Sequence, residues 1–165
     1  YSEAKRLSET ICYDFHRKYG LDVRIARIFN TYGPNMSIKD GRVINTFISN
    51  CILNRPLFIY GNGNQTRSFC YIDDLIKAFF LLRDVNNNDP INLGYPHEIK
   101  ILELAELIKH KTASNSEIIY RDNNENEPFR RIPSIKMAKE LLDWEPAISL
   151  DLGLEYTINY FKNLV

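Results

Sequence analysis

The chain has 165 residues, 21 Lys+Arg against 21 Asp+Glu and a formal net charge of +0; 44% of its residues are apolar and 25% charged. That profile fits a globular domain long enough to bury a core, and it excludes a disordered tail or a fibre. The balanced charge argues against nucleic acid held by a general basic field, and no apolar run nears the ~20 residues of a membrane-spanning helix.

Residues 1–19 read as a long helix. Tyr1, Leu7, Ile11 and Phe15 recur at helical spacing, and Gly20 supplies a stop. Residues 22–29 follow as a strand; Val23, Ile25 and Ile28 do not alternate cleanly, which predicts burial on both faces. Residues 30–41 form a loop with Gly33-Pro34, Asn35 and Asp40-Gly41. A helix is expected over 43–53 and a short strand over 57–60. Gly61-Asn62-Gly63-Asn64 then reads as a hairpin-like turn before a second strand over 67–71. These glycines are no dinucleotide fingerprint, because a strand and not a helix follows them.

Asp73 or Asp74 is a candidate cap for a helix running to about Leu82. A loop over 86–90 and a short strand over 91–93 come next. Residues 101–111 are the clearest amphipathic helix, with Leu102, Leu104, Ala105, Leu107 and Ile108. A strand over 116–120, a polar loop over 122–131 and helices over 135–142 and 150–164 complete the chain. Pro133 and Glu145-Pro146 mark the breaks. Helices alternating with short strands place the fold in the α/β class.

Cys12, Cys51 and Cys70 are odd in number and lack a CxxC spacing. They predict free thiols in a reducing compartment and no zinc site. His16, His97 and His110 have no metal-ligand or triad spacing, so no metal is expected.

The first candidate for chemistry is Tyr1-x-x-x-Lys5. Residues four apart share a helical face. An ammonium one turn from a phenol favours phenolate, which a general base at neutral pH requires. The same spacing also describes an ordinary surface pair. Asn30 and Thr31 fall at the carboxyl end of a strand, where open α/β sheets bind ligands. They equally suit the capping of a turn. Arg67 reads either as an anion contact or as a strand-edge charge, and Arg131 as an anion contact or one of a solvated pair. Tyr60 reads as a ligand contact or a core tyrosine.

Together these residues resemble the extended short-chain dehydrogenase/reductase family that acts on nucleotide sugars. Tyr1 and Lys5 match its YxxxK signature. The segments RIARIFNTYGP, DGRVINTFI, YGNGNQTRSFCYIDDL, PINLG and EPFRRIPSIKMAKELLDWEP resemble its UDP-glucuronate decarboxylase (UDP-xylose synthase) branch, in collinear order over nearly all 165 residues. Three positions depart from the pattern. Ser134 stands where Asp is usual, Asp143 where Gly often precedes Trp, and Asn35 where decarboxylases commonly carry Arg.

The resemblance implies the C-terminal part of a Rossmann-type NAD-binding fold plus a small substrate-binding domain. Residues 1–33 and 68–96 would belong to the first, 34–67 and 97–165 to the second. It implies NAD as cofactor and a UDP-sugar as substrate. The reaction implied is decarboxylation of UDP-glucuronate to UDP-xylose through a 4-keto intermediate. A 4,6-dehydratase, a 4-epimerase or a non-enzymatic nucleotide-sugar-binding module are the alternatives. Tyr1 would be the catalytic base and Lys5 the ribose-holding residue, both touching the cofactor with Thr31 and Arg42. Asn30, Arg67, Arg131 and Tyr60 would contact the substrate, the arginines at the diphosphate.

The resemblance implies that the helix over 1–19 joins a homodimer interface; its Leu7, Ile11 and Tyr13 suit such a face and suit core packing equally well. The family's G-x-x-G-x-x-G turn has no counterpart among these residues. The chain is therefore expected to be a fragment, inactive alone, from a cytoplasmic enzyme, with a Golgi-lumen form left open.

Overall fold

Gly20 ends the first helix where its position predicts. It lies in the left-handed region at φ 66, and its N–H donates to the His16 carbonyl at 2.9 Å. The computed structural model describes residues 1–38, 40–122 and 128–164. In chain order it contains α1 (Ser2–Tyr19), β1 (Ala26–Ile28), β2 (Thr31–Tyr32), α2 (Val43–Ile52), β3 (Leu57–Tyr60), β4 (Thr66–Arg67), β5 (Cys70–Tyr71) and α3 (Ile72–Asp84). There follow β6 (Ile91–Leu93), β7 (Ile99–Lys100), α4 (Ile101–Thr112), β8 (Ile118–Arg121), β9 (Arg130–Arg131), α5 (Lys136–Leu142) and α6 (Leu150–Lys162). The α/β class holds.

The strands pair in four small groups. β1 runs parallel to β6, β2 to β5, and β3 to β8. β4 is the centre of a three-stranded sheet, antiparallel to β7 and parallel to β9. The expected strand over 67–71 is therefore two, broken at Ser68 and Phe69, because β4 and β5 join different sheets. The turn at 61–64 is not a hairpin: β3 and β4 do not pair, and the glycines carry the chain from one sheet to another. Gly61 (φ 67) and Gly63 (φ 74) supply the left-handed backbone this change of direction needs.

Other expectations are corrected in detail. The strand over 22–29 shortens to β1, and it is not buried on both faces, since Ile28 is 54% exposed. β6 covers one of its edges, and among the described residues nothing covers the outer side of Ile28. The loop over 30–41 contains β2. The loop over 122–131 contains β9, and its residues 123–127 lie outside the described residues. Tyr71, not Asp73 or Asp74, takes the cap position of α3; both aspartates sit in the first turn, where an acid favours the helix dipole. Asn35 and Asp143 both have left-handed backbones, at φ 66 and 48. Asp143 thus occupies a conformation that suits glycine, and Asn and Asp are the side chains that tolerate it best.

Two cores result. One joins α2, β3, α4 and α6 through Ile48, Leu57, Ile59, Leu104, Ile108, Leu154 and Phe161. The other joins α3, β6 and α5 through Leu75, Ala78, Leu82, Ile91, Leu93, Ala138 and Trp144. By contrast, α1 buries no residue. It is attached by polar contacts: Arg27 donates twice to Glu9, at 2.7 and 2.6 Å, and the Tyr13 hydroxyl donates to Asp89 at 3.0 Å. Leu7, Ile11, Phe15 and Tyr19 stay exposed.

Asp74 fastens the two cores. Its buried carboxylate accepts from the Ala147 and Ile148 N–H groups at 3.0 and 2.8 Å, and the Trp144 indole donates to its carbonyl at 3.0 Å. The segment so held leads into α6, which packs on Tyr32 and Tyr71 at Gly153. A Cβ there would lie 2.8 Å from the Tyr71 ring, so only glycine allows this approach. Replacing Asp74 by Ala removes a buried acceptor shared by two part-buried N–H donors and should lower stability by about 2–3 kcal/mol. Leu7→Ser, on the exposed face of α1, should stay within about 0.5 kcal/mol. Urea-unfolding midpoints compare the two, and equal shifts would contradict the fastening role.

Candidate functional site

The carboxyl ends of β1 and β3 open toward one cleft of about 430 Å³. Its wall is built in sequence order by Asn30 and Thr31 after β1, Arg42 to Phe47 at the start of α2, Phe58 and Tyr60 on β3, then Gln65, Arg67 and Phe69. Five of the residues singled out from sequence are thus brought together: Asn30, Thr31, Arg42, Tyr60 and Arg67. Four of them have a side-chain contact that fixes them locally. The Asn30 amide donates to the Ser68 carbonyl at 3.3 Å, and the Thr31 hydroxyl to the Phe29 carbonyl at 3.0 Å. Arg42 pairs with Asp40 at 3.0 Å. Arg67 donates to the Thr66 carbonyl at 2.8 Å and the Phe129 carbonyl at 3.4 Å.

Tyr1, Lys5 and Arg131 do not line this cleft. Tyr1 is 94% exposed, and the Lys5 ammonium stands 5.7 Å from the centre of its ring. The one-turn spacing therefore places the two groups together on an open helix end. Arg131 lies on β9 as the register partner of Arg67. Paired residues of adjacent strands leave the same side of a sheet, so the two arginines stand next to each other. Arg130, on the opposite side, is held by Glu98 at 2.9 Å, and the Thr66 hydroxyl donates to the same carboxylate oxygen at 2.8 Å. Arg130 and Thr66 hold the Glu98 carboxyl below the usual carboxylate range.

Several lining residues escaped sequence reasoning. Phe58 lies two positions before Tyr60, and the period of a strand would have placed both on one face. Gln65 donates to the Tyr60 carbonyl at 2.8 Å and so braces the turn, a role no local pattern announces. Asn45 is fully buried. Its amide donates to the Ser37 carbonyl at 3.2 Å, while its Oδ1 has no partner among the described residues. A buried acceptor left open at a cleft wall is a place for a ligand donor.

Tyr32 forms the cleft floor and is buried; its hydroxyl donates to the Leu150 carbonyl at 3.3 Å. Burial raises its phenol well above the ordinary value, with negative neighbours adding to the effect. Burial, then the nearby Asp74 charge, pushes the Cys70 thiol from 9.0 up to about 12. Cys51 and Cys70 are buried free thiols, while Cys12 is half-buried. Among the described residues no cluster of His, Cys, Asp and Glu has the geometry of a metal site, and no helix is long and apolar enough to cross a membrane.

The raised phenol and thiol have a consequence in alkali. Unfolding lets Tyr32 and Cys70 release protons that the folded state keeps, so stability falls as pH rises. The contribution of Cys70 is complete below 9.0 and is lost as pH climbs toward about 12. The urea midpoint should be flat up to about pH 9 and decline beyond it, less steeply in Cys70→Ala. A midpoint unchanged well above pH 9 would contradict this burial.

Known proteins share both sequence and shape with this chain. The model of the "NAD dependent epimerase/dehydratase family" matches residues 1–94. UDP-glucuronic acid decarboxylase 1 of Arabidopsis thaliana is 45% identical over 165 residues, which is 100% of this chain and 38% of that protein. UDP-glucuronic acid decarboxylase 1 of Danio rerio is 46% identical over 162 residues, 98% of this chain and 39% of that protein. The chain thus spans well under half the length of these curated relatives. Among solved structures, UDP-glucose 4-epimerase of Thermotoga maritima with UDP-glucose superposes with a TM-score of 0.96 at 30% identity, over 99% of this chain and 53% of that one. UDP-glucuronic acid 4-epimerase of Bacillus cereus with UDP-glucuronic acid and NAD gives 0.87 at 28% identity, over 95% and 50%.

Proposed function

The chain belongs to the NAD dependent epimerase/dehydratase family, and on that premise we propose that it is part of an NAD-dependent UDP-glucuronate decarboxylase. The observation that carries the proposal is the cleft: Arg67 lines it with Asn30, Tyr60 and Phe58, and its register partner Arg131 lies on the adjoining strand. Two adjacent guanidiniums suit a diphosphate, because each offers a forked pair of donors. Identity of about 45% to decarboxylases, against about 30% to the 4-epimerase, favours this branch.

The residues present fit NAD at one end. Tyr1 and Lys5 stand exposed one turn apart, and the Lys5 ammonium has no acceptor among the described residues, so it is open to ribose hydroxyls. Thr31 and Arg42 would complete the contacts. When bound, NAD supplies the acceptor, and later the donor, of a hydride at sugar C4. Tyr1 accepts the proton of the 4-hydroxyl as a general base. The resulting 4-keto sugar is a β-keto acid, whose C6 carboxylate leaves as CO2. Asn30 and the arginines hold the nucleotide sugar while the enolate is protonated at C5.

In the proposed division, residues 1–33 and 68–96 belong to the nucleotide layer and 34–67 and 97–165 to the substrate side. The two cores follow this division in part: α5 packs across on β6, and Tyr32, Phe69 and Tyr71 join the core of α2, β3, α4 and α6. The exposed Leu7 and Ile11 on α1 support a homodimer through that helix. Three free cysteines support a reducing, cytoplasmic setting.

A chimera tests the activity. These 165 residues replace the matching segment of the Arabidopsis decarboxylase, and products from UDP-glucuronate are separated. UDP-xylose is expected, with turnover falling by about 10²–10⁴-fold in Tyr1→Phe. The 165-residue chain alone, with added NAD, should give none. A folded chimera producing the 4-epimer or a dehydrated sugar would reassign the branch, and UDP-xylose from the isolated chain would overturn the need for the remaining part.

A further inference from the structure

The face of β3 that looks into the cleft continues onto β8. Phe58 and Tyr60 lie two apart on β3, and β8 pairs with it so that Ile119 faces Phe58 and Arg121 faces Tyr60. All four side chains share one side of this two-stranded sheet. The opposite side, with Leu57 and Ile59, is buried in the core. On the open side, the Arg121 guanidinium lies 3.6 Å from the centre of the Phe58 ring. That distance is a stacked cation–π contact, which fixes the plane of the guanidinium. Stacking uses its flat face and leaves its edge of N–H donors free. Among the described residues no acceptor takes them. Arg121 is thus a held set of donors beside an aromatic wall, away from the Arg67–Arg131 pair at the neighbouring sheet.

Given a UDP-sugar in this cleft, as proposed above, we infer that Arg121 is a specificity residue that reads the pyrimidine base. With the diphosphate at Arg67 and Arg131, the aromatic wall of Phe58 and Tyr60 is left for the base. A uracil presents carbonyl oxygens at its edge, which accept from a guanidinium. A cytosine presents an amino group in place of one carbonyl, and donor then meets donor. The mismatch leaves polar groups unpaired and penalises the wrong base. Phe58 positions the guanidinium, and Arg121 makes the distinction.

Calorimetric titration of the chain with UDP, CDP and inorganic pyrophosphate tests this. The wild-type chain should bind UDP about tenfold or more tightly than CDP, the size of one hydrogen-bond mismatch. Arg121→Ala and Arg121→Lys should both bring that ratio within about twofold, because lysine keeps the charge but not the planar fork. Pyrophosphate affinity should stay unchanged in Arg121→Ala, and circular dichroism confirms that both variants fold. If Arg121→Ala keeps the UDP preference, or weakens pyrophosphate as much as UDP, the inference fails while the UDP-sugar assignment stands. If the wild-type chain does not bind UDP, both fail.

Discussion

A sheet three strands wide sets Arg67 and Arg131 at partnered positions on adjacent strands. β4 contains only Thr66 and Arg67, yet it bonds to β7 on one edge and β9 on the other. Its register with β9 fixes Arg67 beside Arg131, which the chain brings from 64 positions downstream. On the other side of the sheet Glu98 accepts from both Thr66 and Arg130, which ties β4 to β9. Arg67 also donates to the Thr66 and Phe129 carbonyls, which fixes its direction at the cleft wall. The aromatic wall of Phe58 and Tyr60 and the Asn30 side chain line the same cleft as Arg67.

The two cores and their fastening serve the same end. The cleft is lined by residues of α2 and β3 in the first core and by Gln65, Arg67 and Phe69 in the segment that leads to β5 and α3, so a shift of one core against the other would change it. Asp74 opposes such a shift. It ties the start of α3 to the segment entering α6, and Gly153 lets that helix approach Tyr32 and Tyr71 closely. Tyr32 is at once a core residue and the floor of the cleft, so the site has a rigid base. α1 is different. It carries Tyr1 and Lys5 on a helix held by Glu9, Tyr13 and their polar partners, with its apolar face open.

The sequence made the helices readable because their signals are local. Gly20 stops α1 and the apolar positions of 101–111 recur at one period, so both elements emerged close to their observed bounds. The short strands were less readable. Two-residue strands such as β2, β7 and β9 exist only through partners distant in sequence, and nothing within them signals the pairing. The apolar run at 22–29 suggested a doubly buried strand, whereas burial depends on what covers it. For the site, Asn30, Thr31, Arg42, Tyr60 and Arg67 were singled out largely through the family resemblance, and the fold gathers them at one cleft. Phe58, Gln65, Asn45 and Arg121 were not, because their roles arise from register and from contacts across elements.

Amide hydrogen exchange of the chain with and without UDP tests most directly that this cleft is the nucleotide site. Protection on adding UDP should concentrate at 30–32, 42–47, 58–67 and 130–131, where the two arginines and the aromatic wall meet. α1, which lines no part of the cleft, should exchange as before. Protection confined to α1, or none at the segments carrying Arg67 and Arg131, would contradict the account.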